Sequence, residues 1–217
     1  MALYNVDSKL SDAIMAHPSL IPVVNRLGVT LGVGDLSIGA VCSLTHISPD
    51  FFLSVINTFV DEEYFPANAS GAFSLEMTVD YLQKTSSFYL NVQLPNIDRH
   101  FSSLIARSGE DNNLQMLQKF YTGMRVQLER CLKSEEKQIP DTIKKGEVTT
   151  ELEEIVAGYG EVEEKLHDLL TFFVVHLRGS YDKNLCMAVV SAVFSLEKDI
   201  RQNNRIRNRI LVPMLRG

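Results

Sequence analysis

Two polar residues stand on a helical seam that is otherwise apolar near the end of the chain. Asn203 and Arg207 belong to a series spaced by three and four positions, which places them on one helix face. The series consists of Cys186, Val189, Val193, Leu196, Ile200, Asn203, Arg207, Ile210 and Met214. Arginine is almost never fully buried without a partner, so the seam predicts a polar group opposite it.

Other predicted helices place polar groups on their apolar faces in the same way. One stripe ends in a carboxylate and runs through Leu114, Leu117, Tyr121, Met124, Leu128, Cys131 and Glu135. His167 shares a predicted face with Leu170, Val174 and Leu177, and Ser86 lies on the stripe of an earlier helix. We therefore expect a polar layer inside a helical bundle, where inward side chains of facing helices build metal and cofactor sites.

Four long amphipathic helices must position this layer. The periodicity predicts them at about 74–107, with a bend at Pro95, and at about 112–138, 150–178 and 183–213. Pro140 to Gly146 is predicted to form a loop, and the last helix is predicted to end near Pro213. No segment alternates as a strand would, so the fold class is all-α. The short loops predict an up-down-up-down four-helix bundle.

A smaller helical domain is expected before the bundle. Ser48 and Pro49 read as the N-cap and first-turn proline of a helix that runs to about Val60. Acidic residues, Pro66 and Gly71 then give the composition of a linker. The predicted domains are therefore 1–62, a linker at 63–73, and the bundle at 74–217.

The polar layer resembles the site of the hemerythrin-like iron–sulfur cluster repair di-iron family. In that family the first helix carries a His, the second a His-x3-Glu motif, the third a His, and the fourth another His-x3-Glu motif. The matching positions in this chain are Ser86-Ser87, Cys131 to Glu135, His167, and Asn203 to Arg207, and a further family histidine would fall near Ser108.

The resemblance extends to the N-terminal domain. The family's counterpart contains a Gly-x-x-x-Cys-Cys-Gly stretch and then a helix with another Cys. Here the segment 28–34, GVTLGVG, keeps the glycines and has Gly32 and Val33 in place of the two cysteines, while Cys42 follows.

The resemblance implies a family member whose di-iron centre has been lost. Only Glu135 and His167 match the family's ligands, and Arg207 puts a cation where a bridging carboxylate would be. We expect no bound cofactor, with Cys131, Glu135 and His167 as vestigial metal-ligand candidates. Two alternatives stay open, namely an ordinary di-iron centre and a mononuclear zinc site formed by those three residues.

A structural role explains the remaining polar residues. Arg207 is expected to replace the metal as the counter-charge of Glu135, or failing that to pair with Glu163, because an uncompensated buried charge is costly. Ser86, His167 and Asn203 would complete this polar core through hydrogen bonds.

The functional expectation is a non-catalytic regulatory or protein-interaction module. Some bacterial chains of this architecture continue into a DNA-binding domain, which implies a transcription-related role and a protein partner, and a homodimer is compatible with it. The alternative is a metal-binding protein that repairs iron–sulfur clusters or handles oxygen or nitric oxide with an altered site. The helix pair at 36–57 lacks basic residues, so we expect no nucleic-acid binding by this chain itself.

Composition sets the remaining limits. A net charge of −6 excludes a surface built throughout for nucleic acid. The three cysteines form no CxxC pair and lie in apolar contexts, as in reduced cytoplasmic proteins. Asp7, Lys9 and Asp12 argue against a signal peptide, and the longest apolar run, at 169–175, is too short to span a membrane.

Overall fold

The computed structural model describes residues 3–66, 72–108 and 112–216. Within these ranges the chain is helical, and the one β-type pairing is an isolated bridge between Lys9 and Ser37. The predicted all-α class is therefore confirmed. No helix in the described ranges is both long and apolar enough to cross a bilayer.

Short helices form the first part of the chain. They are α1 (Leu10–Ala16), a 3-10 turn (Pro18–Leu20), α2 (Ile21–Arg26), α3 (Ile38–Thr45) and α4 (Pro49–Val60). The Ser48 hydroxyl accepts a hydrogen bond from the Phe51 amide at 3.4 Å, and Pro49 occupies the first turn of α4. The predicted start and end of this helix are confirmed.

A π turn stands where a bend was predicted at Pro95. The helix α5 (Leu75–Phe88) leads into a π turn (Tyr89–Gln93) and then into α6 (Leu94–Ser108). A proline inside a helix removes one amide donor, and its ring crowds the carbonyl one turn earlier. The wider π turn, which ends two residues before Pro95, accommodates both effects.

The helix α7 (Asn112–Lys145) corrects one prediction, because it continues through Pro140 where a loop was expected. It ends instead at Gly146, whose φ of 71° suits glycine and whose amide bonds the Thr142 carbonyl at 3.0 Å. Next comes α8 (Thr150–Thr171), which begins where predicted and is capped by the Thr149 hydroxyl. A π turn (Phe172–His176) follows it.

The last helix also passes its predicted end. It consists of α9 (Lys183–Ile206), a π turn (Arg207–Leu211) and α10 (Val212–Arg216). Pro213 lies two residues after this π turn, and Pro95 lies two residues after the earlier one. The helix continues past the proline in both cases.

The contacts divide the chain into two units. The first unit comprises Met1–Thr85 and Arg205–Gly217. In it the buried Arg26 donates to the Tyr81 hydroxyl at 3.1 Å, and Arg209 donates to the Glu62 and Tyr64 carbonyls at 2.7 Å each. The domain limits predicted around the 63–73 linker remain a prediction, and residues 67–71 of that linker lie outside the described ranges.

The second unit comprises Ser86–Asn204 and contains one large hydrophobic core. The predicted stripe of α7 is buried throughout, from Leu114 at 1% exposure to Glu135 at 2%. The stripe of α9 is buried from Cys186 to Asn203 as well. Aromatic stacking joins α6 to α7, with the rings of Phe101 and Tyr121 5.1 Å apart.

Candidate functional site

A buried carboxylate and a tyrosine hydroxyl meet in the core of the second unit. Glu135 on α7 is 2% exposed, and its Oε2 accepts a hydrogen bond of 2.9 Å from the hydroxyl of Tyr159 on α8. The tyrosine is itself fully buried. A buried carboxylate is costly without hydrogen bonds, so this donor satisfies part of what the site requires.

Cys131 lies one turn before Glu135 on the same buried stripe. A Cβ added at Gly158 of α8 would lie 3.0 Å from the Cys131 Sγ. A glycine at 158 therefore allows the two helices to approach closely beside the Glu135–Tyr159 pair. Cys131 and Glu135 therefore both lie on the buried face of α7.

Asn203 is a second buried polar centre in this unit. Its side-chain amide donates to the Tyr89 hydroxyl at 2.9 Å and to the Asp199 carbonyl at 2.8 Å. Asn203 has no exposed surface, and Tyr89 has none either. The predicted burial of Asn203 is confirmed, and the Tyr89 hydroxyl is one of its hydrogen-bond partners.

The placement of His167 was wrong. The buried face of α8 contains Leu152, Tyr159, Val162, Leu166, Leu169 and Leu170. His167 follows Leu166 directly, so it is rotated by about 100° from that face, and its side chain is exposed. Val174, which was placed on the same predicted inward face, is 66% exposed.

Ser86 and Arg207 differ in burial. Ser86 is half-buried, Ser87 is exposed, and the buried hydroxyl before them belongs to Thr85. Arg207 has no exposed surface and begins the last π turn, in the first unit. Its pairing with Glu135 or Glu163 stays a prediction.

An ion-pair cluster lies between α8 and α9. Arg201 Nε donates to Glu163 Oε1 at 2.9 Å, and an Nη group of the same arginine contacts Glu197. The Asn204 amide donates to Glu163 Oε2 at 3.1 Å. The four-residue spacing of Glu197 and Arg201 was a usable signal for part of this cluster.

The donor set of the second unit does not fit a di-iron centre. Such centres use several carboxylates together with histidines that project into the bundle. Here the Glu135 carboxylate already accepts from Tyr159, and His167 faces solvent. Across the described ranges, no three His, Cys, Asp or Glu side chains are grouped so as to hold a metal ion.

Two tyrosines form hydrogen bonds at positions where the sequence suggested metal ligands. Tyr89 and Tyr159 both lie at buried helical positions, and a buried tyrosine hydroxyl usually requires a hydrogen-bond partner. That requirement was the signal that could have found them.

Comparisons with family models, with characterised proteins and with solved structures give no match for this chain.

Proposed function

We propose that the chain is a non-catalytic regulatory or protein-interaction module with a transcription-related role. In this proposal the module uses a hemerythrin-like bundle that has lost its di-iron centre. The observation that carries the proposal is the hydrogen bond from Tyr159 to Glu135. Glu135, the carboxylate of the predicted polar layer, therefore already accepts a hydrogen bond from the protein.

The up-down-up-down arrangement is part of this proposal, and contacts in the second unit support it. Between α7 and α8, Gln127 bonds Glu161 and Glu135 bonds Tyr159, so the residue numbers rise on one helix as they fall on the other. Tyr89 with Asn203 and Gln93 with Ser195 give the same antiparallel relation across the bundle.

The residue types of the polar layer also support a structural interior. The Tyr89 hydroxyl accepts a hydrogen bond from the neutral Asn203 amide, and the Tyr159 hydroxyl donates to Glu135. An exposed histidine adds no ligand beside Cys131 and Glu135. With a closed core of this kind, regulation would act through the surface of the helices.

A chelator experiment tests the proposal against the metal-binding alternative. A metal that binds only the folded chain raises its stability by mass action, so removing the metal lowers Tm. We expect the Tm of the full chain to be unchanged by EDTA and by added iron(II) or zinc(II). A fall in Tm with EDTA, or a rise with either metal, would favour the altered metal site.

The variant Glu135→Gln is the matched control. It keeps an oxygen that can accept from Tyr159 but removes the carboxylate that a metal would need. In a metal-free core, the variant and the wild type respond identically to chelator and metal. In a metal site at Glu135, only the wild type responds.

A further inference from the structure

We propose that a cleft beside the π turn Tyr89–Gln93 binds the carboxyl-terminal end of a partner polypeptide. This inference rests on the proposed function, because it names the surface through which an interaction module would act. The cleft lies within the second unit and has a volume of about 400 Å³. That volume falls in the range of ligand pockets, roughly 300 to 1,000 Å³.

The lining combines amide, hydroxyl, guanidinium and apolar groups from two parts of the chain. The residues are Phe88, Asn91, Val92, Gln93, Pro95, Asn96, Arg99, Ala192 and Ser195.

The π turn and Pro95 form one side of the cleft. The Leu94 amide bonds the Tyr89 carbonyl, as the π register requires. The next position is Pro95, which has no N–H to give to the carbonyl of Leu90 or Asn91. Position 95 therefore donates no hydrogen bond to the turn. Irregular turns of this type are frequent at functional sites.

Side-chain amides extend the hydrogen-bonding surface. The amino group of Asn91 donates to Ser87 Oγ at 3.1 Å, and the amino group of Gln93 donates to Ser195 Oγ at 3.4 Å. Both bonds use the amino groups, so the carbonyl oxygens of these side chains can accept from a ligand. Peptide main chain offers the matching N–H donors at regular intervals.

Arg99 favours a ligand with a negative charge. Among the described residues that line the cleft, Arg99 carries the only charge. Its Nη2 donates to Oδ1 of Asn96, which also lines the cleft, at 3.5 Å. Guanidinium groups bind carboxylates strongly and often through two parallel hydrogen bonds. A terminal carboxylate preceded by amide groups therefore matches the cleft.

The apolar part of the lining selects the last side chain of that ligand. Phe88, Pro95 and Ala192 line the cleft, and Val92 beside them is 53% exposed. Covering such carbon surface from water is favourable. The inferred ligand is a polypeptide end with an apolar last residue and a free carboxylate.

Titration of the isotope-labelled full chain with two synthetic peptide libraries tests this inference. Both contain N-acetylated tripeptides with every apolar residue at the last position; one ends in a free carboxylate and the other in a carboxamide. We expect amide chemical-shift changes confined to residues 88–99 and 192–195, with the free carboxylate library alone. Absence of shifts, equal shifts with both libraries, or shifts located elsewhere would overturn the proposal.

Three variants make the test specific. Arg99→Gln should weaken binding at least about tenfold, as expected for one charge-assisted contact. Ala192→Met should abolish binding by filling the cleft. Arg107→Gln is the matched control, because Arg107 also lies on α6 but outside the cleft. Unweakened binding by Arg99→Gln would refute the role of the cleft.

The two proposals can fail separately. A metal-dependent Tm would refute the proposal that the metal centre has been lost, and peptide binding could still be measured. A metal-independent Tm without peptide binding would leave the module intact and eliminate this cleft as its partner site.

Discussion

The hydroxyl of Tyr159 donates to Glu135 Oε2 at 2.9 Å between two helices, α7 and α8, inside the core of the second unit. Both side chains are almost completely removed from water, at 0% and 2% exposure. The carboxylate therefore depends on protein donors for the hydrogen bonds that water would otherwise supply. This dependence makes the pair a sensitive test of the structural role assigned to the polar core.

Tyr159→Phe should destabilise the chain by about 1 to 3 kcal/mol, because it leaves a buried acceptor with one donor fewer. Urea unfolding followed by circular dichroism measures the change. Tyr181→Phe is a suitable control, since Tyr181 packs against the same core and no hydrogen bond of its hydroxyl is part of the site. Equal effects of the two variants would contradict the role of the Glu135 bond.

Asn203 and Tyr89 should be energetically coupled. The Asn203 amide donates to the Tyr89 hydroxyl at 2.9 Å, so either variant alone, Asn203→Ala or Tyr89→Phe, loses this bond. A double-mutant cycle should give a coupling of about 1 kcal/mol. Additive effects of the two substitutions would show that the bond does not contribute to stability.

Two neighbouring glycines of α8 should respond differently to alanine. A Cβ at Gly160 meets nothing within 4 Å, whereas a Cβ at Gly158 meets Cys131 Sγ at 3.0 Å. Gly160→Ala should stabilise the chain by up to about 1 kcal/mol through helix propensity. Gly158→Ala should stabilise it less or destabilise it, and Cys131→Ala should restore the missing gain. Identical gains at both positions would contradict the close helix approach.

Cys42 should be a poorly reactive thiol in the folded chain. Burial raises the pKa of the Cys42 thiol from its ordinary value near 9.0 to about 11. The thiolate fraction at pH 8 is then lower by about a hundredfold, and the thiolate is the reactive form. Iodoacetamide labelling, followed by mass spectrometry of the Cys42 peptide, should be at least that much slower than in urea-unfolded chain. Comparable rates would refute the shift.

The same shift fixes the direction of a pH effect. The stability linked to Cys42 is complete below the pKa of the unfolded chain and is lost as the pH rises through about 11. Stability should therefore fall between these values, and Cys42→Ala should remove part of that fall. A Cys42→Ala variant with an unchanged alkaline profile would argue against this contribution.

Helix periodicity predicted the buried positions of two helices well. The stripes ending in Glu135 and passing through Asn203 are buried because apolar spacing on α7 and α9 leaves one consistent inward face. The start of α4 was equally readable, since Ser48 and Pro49 form a local signal that needs no tertiary contact.

The failures were at positions decided by tertiary context. Pro140 stops many helices but lies inside α7, and Pro213 follows a π turn that lets the last helix continue. His167 is next to the buried Leu166, so an error of one position on α8 changed the predicted face. Which tyrosine would reach Glu135 depends on the register of two helices, which spacing along one helix does not determine.

Metal content tests the central claim most directly. The full chain is produced in cells supplied with iron and zinc, purified without chelator, and measured by elemental analysis together with its visible absorption spectrum. The proposed loss of the di-iron centre predicts no stoichiometric metal and no oxo-bridge absorption band. Stoichiometric iron with that band, or stoichiometric zinc that Glu135→Gln abolishes, would contradict it.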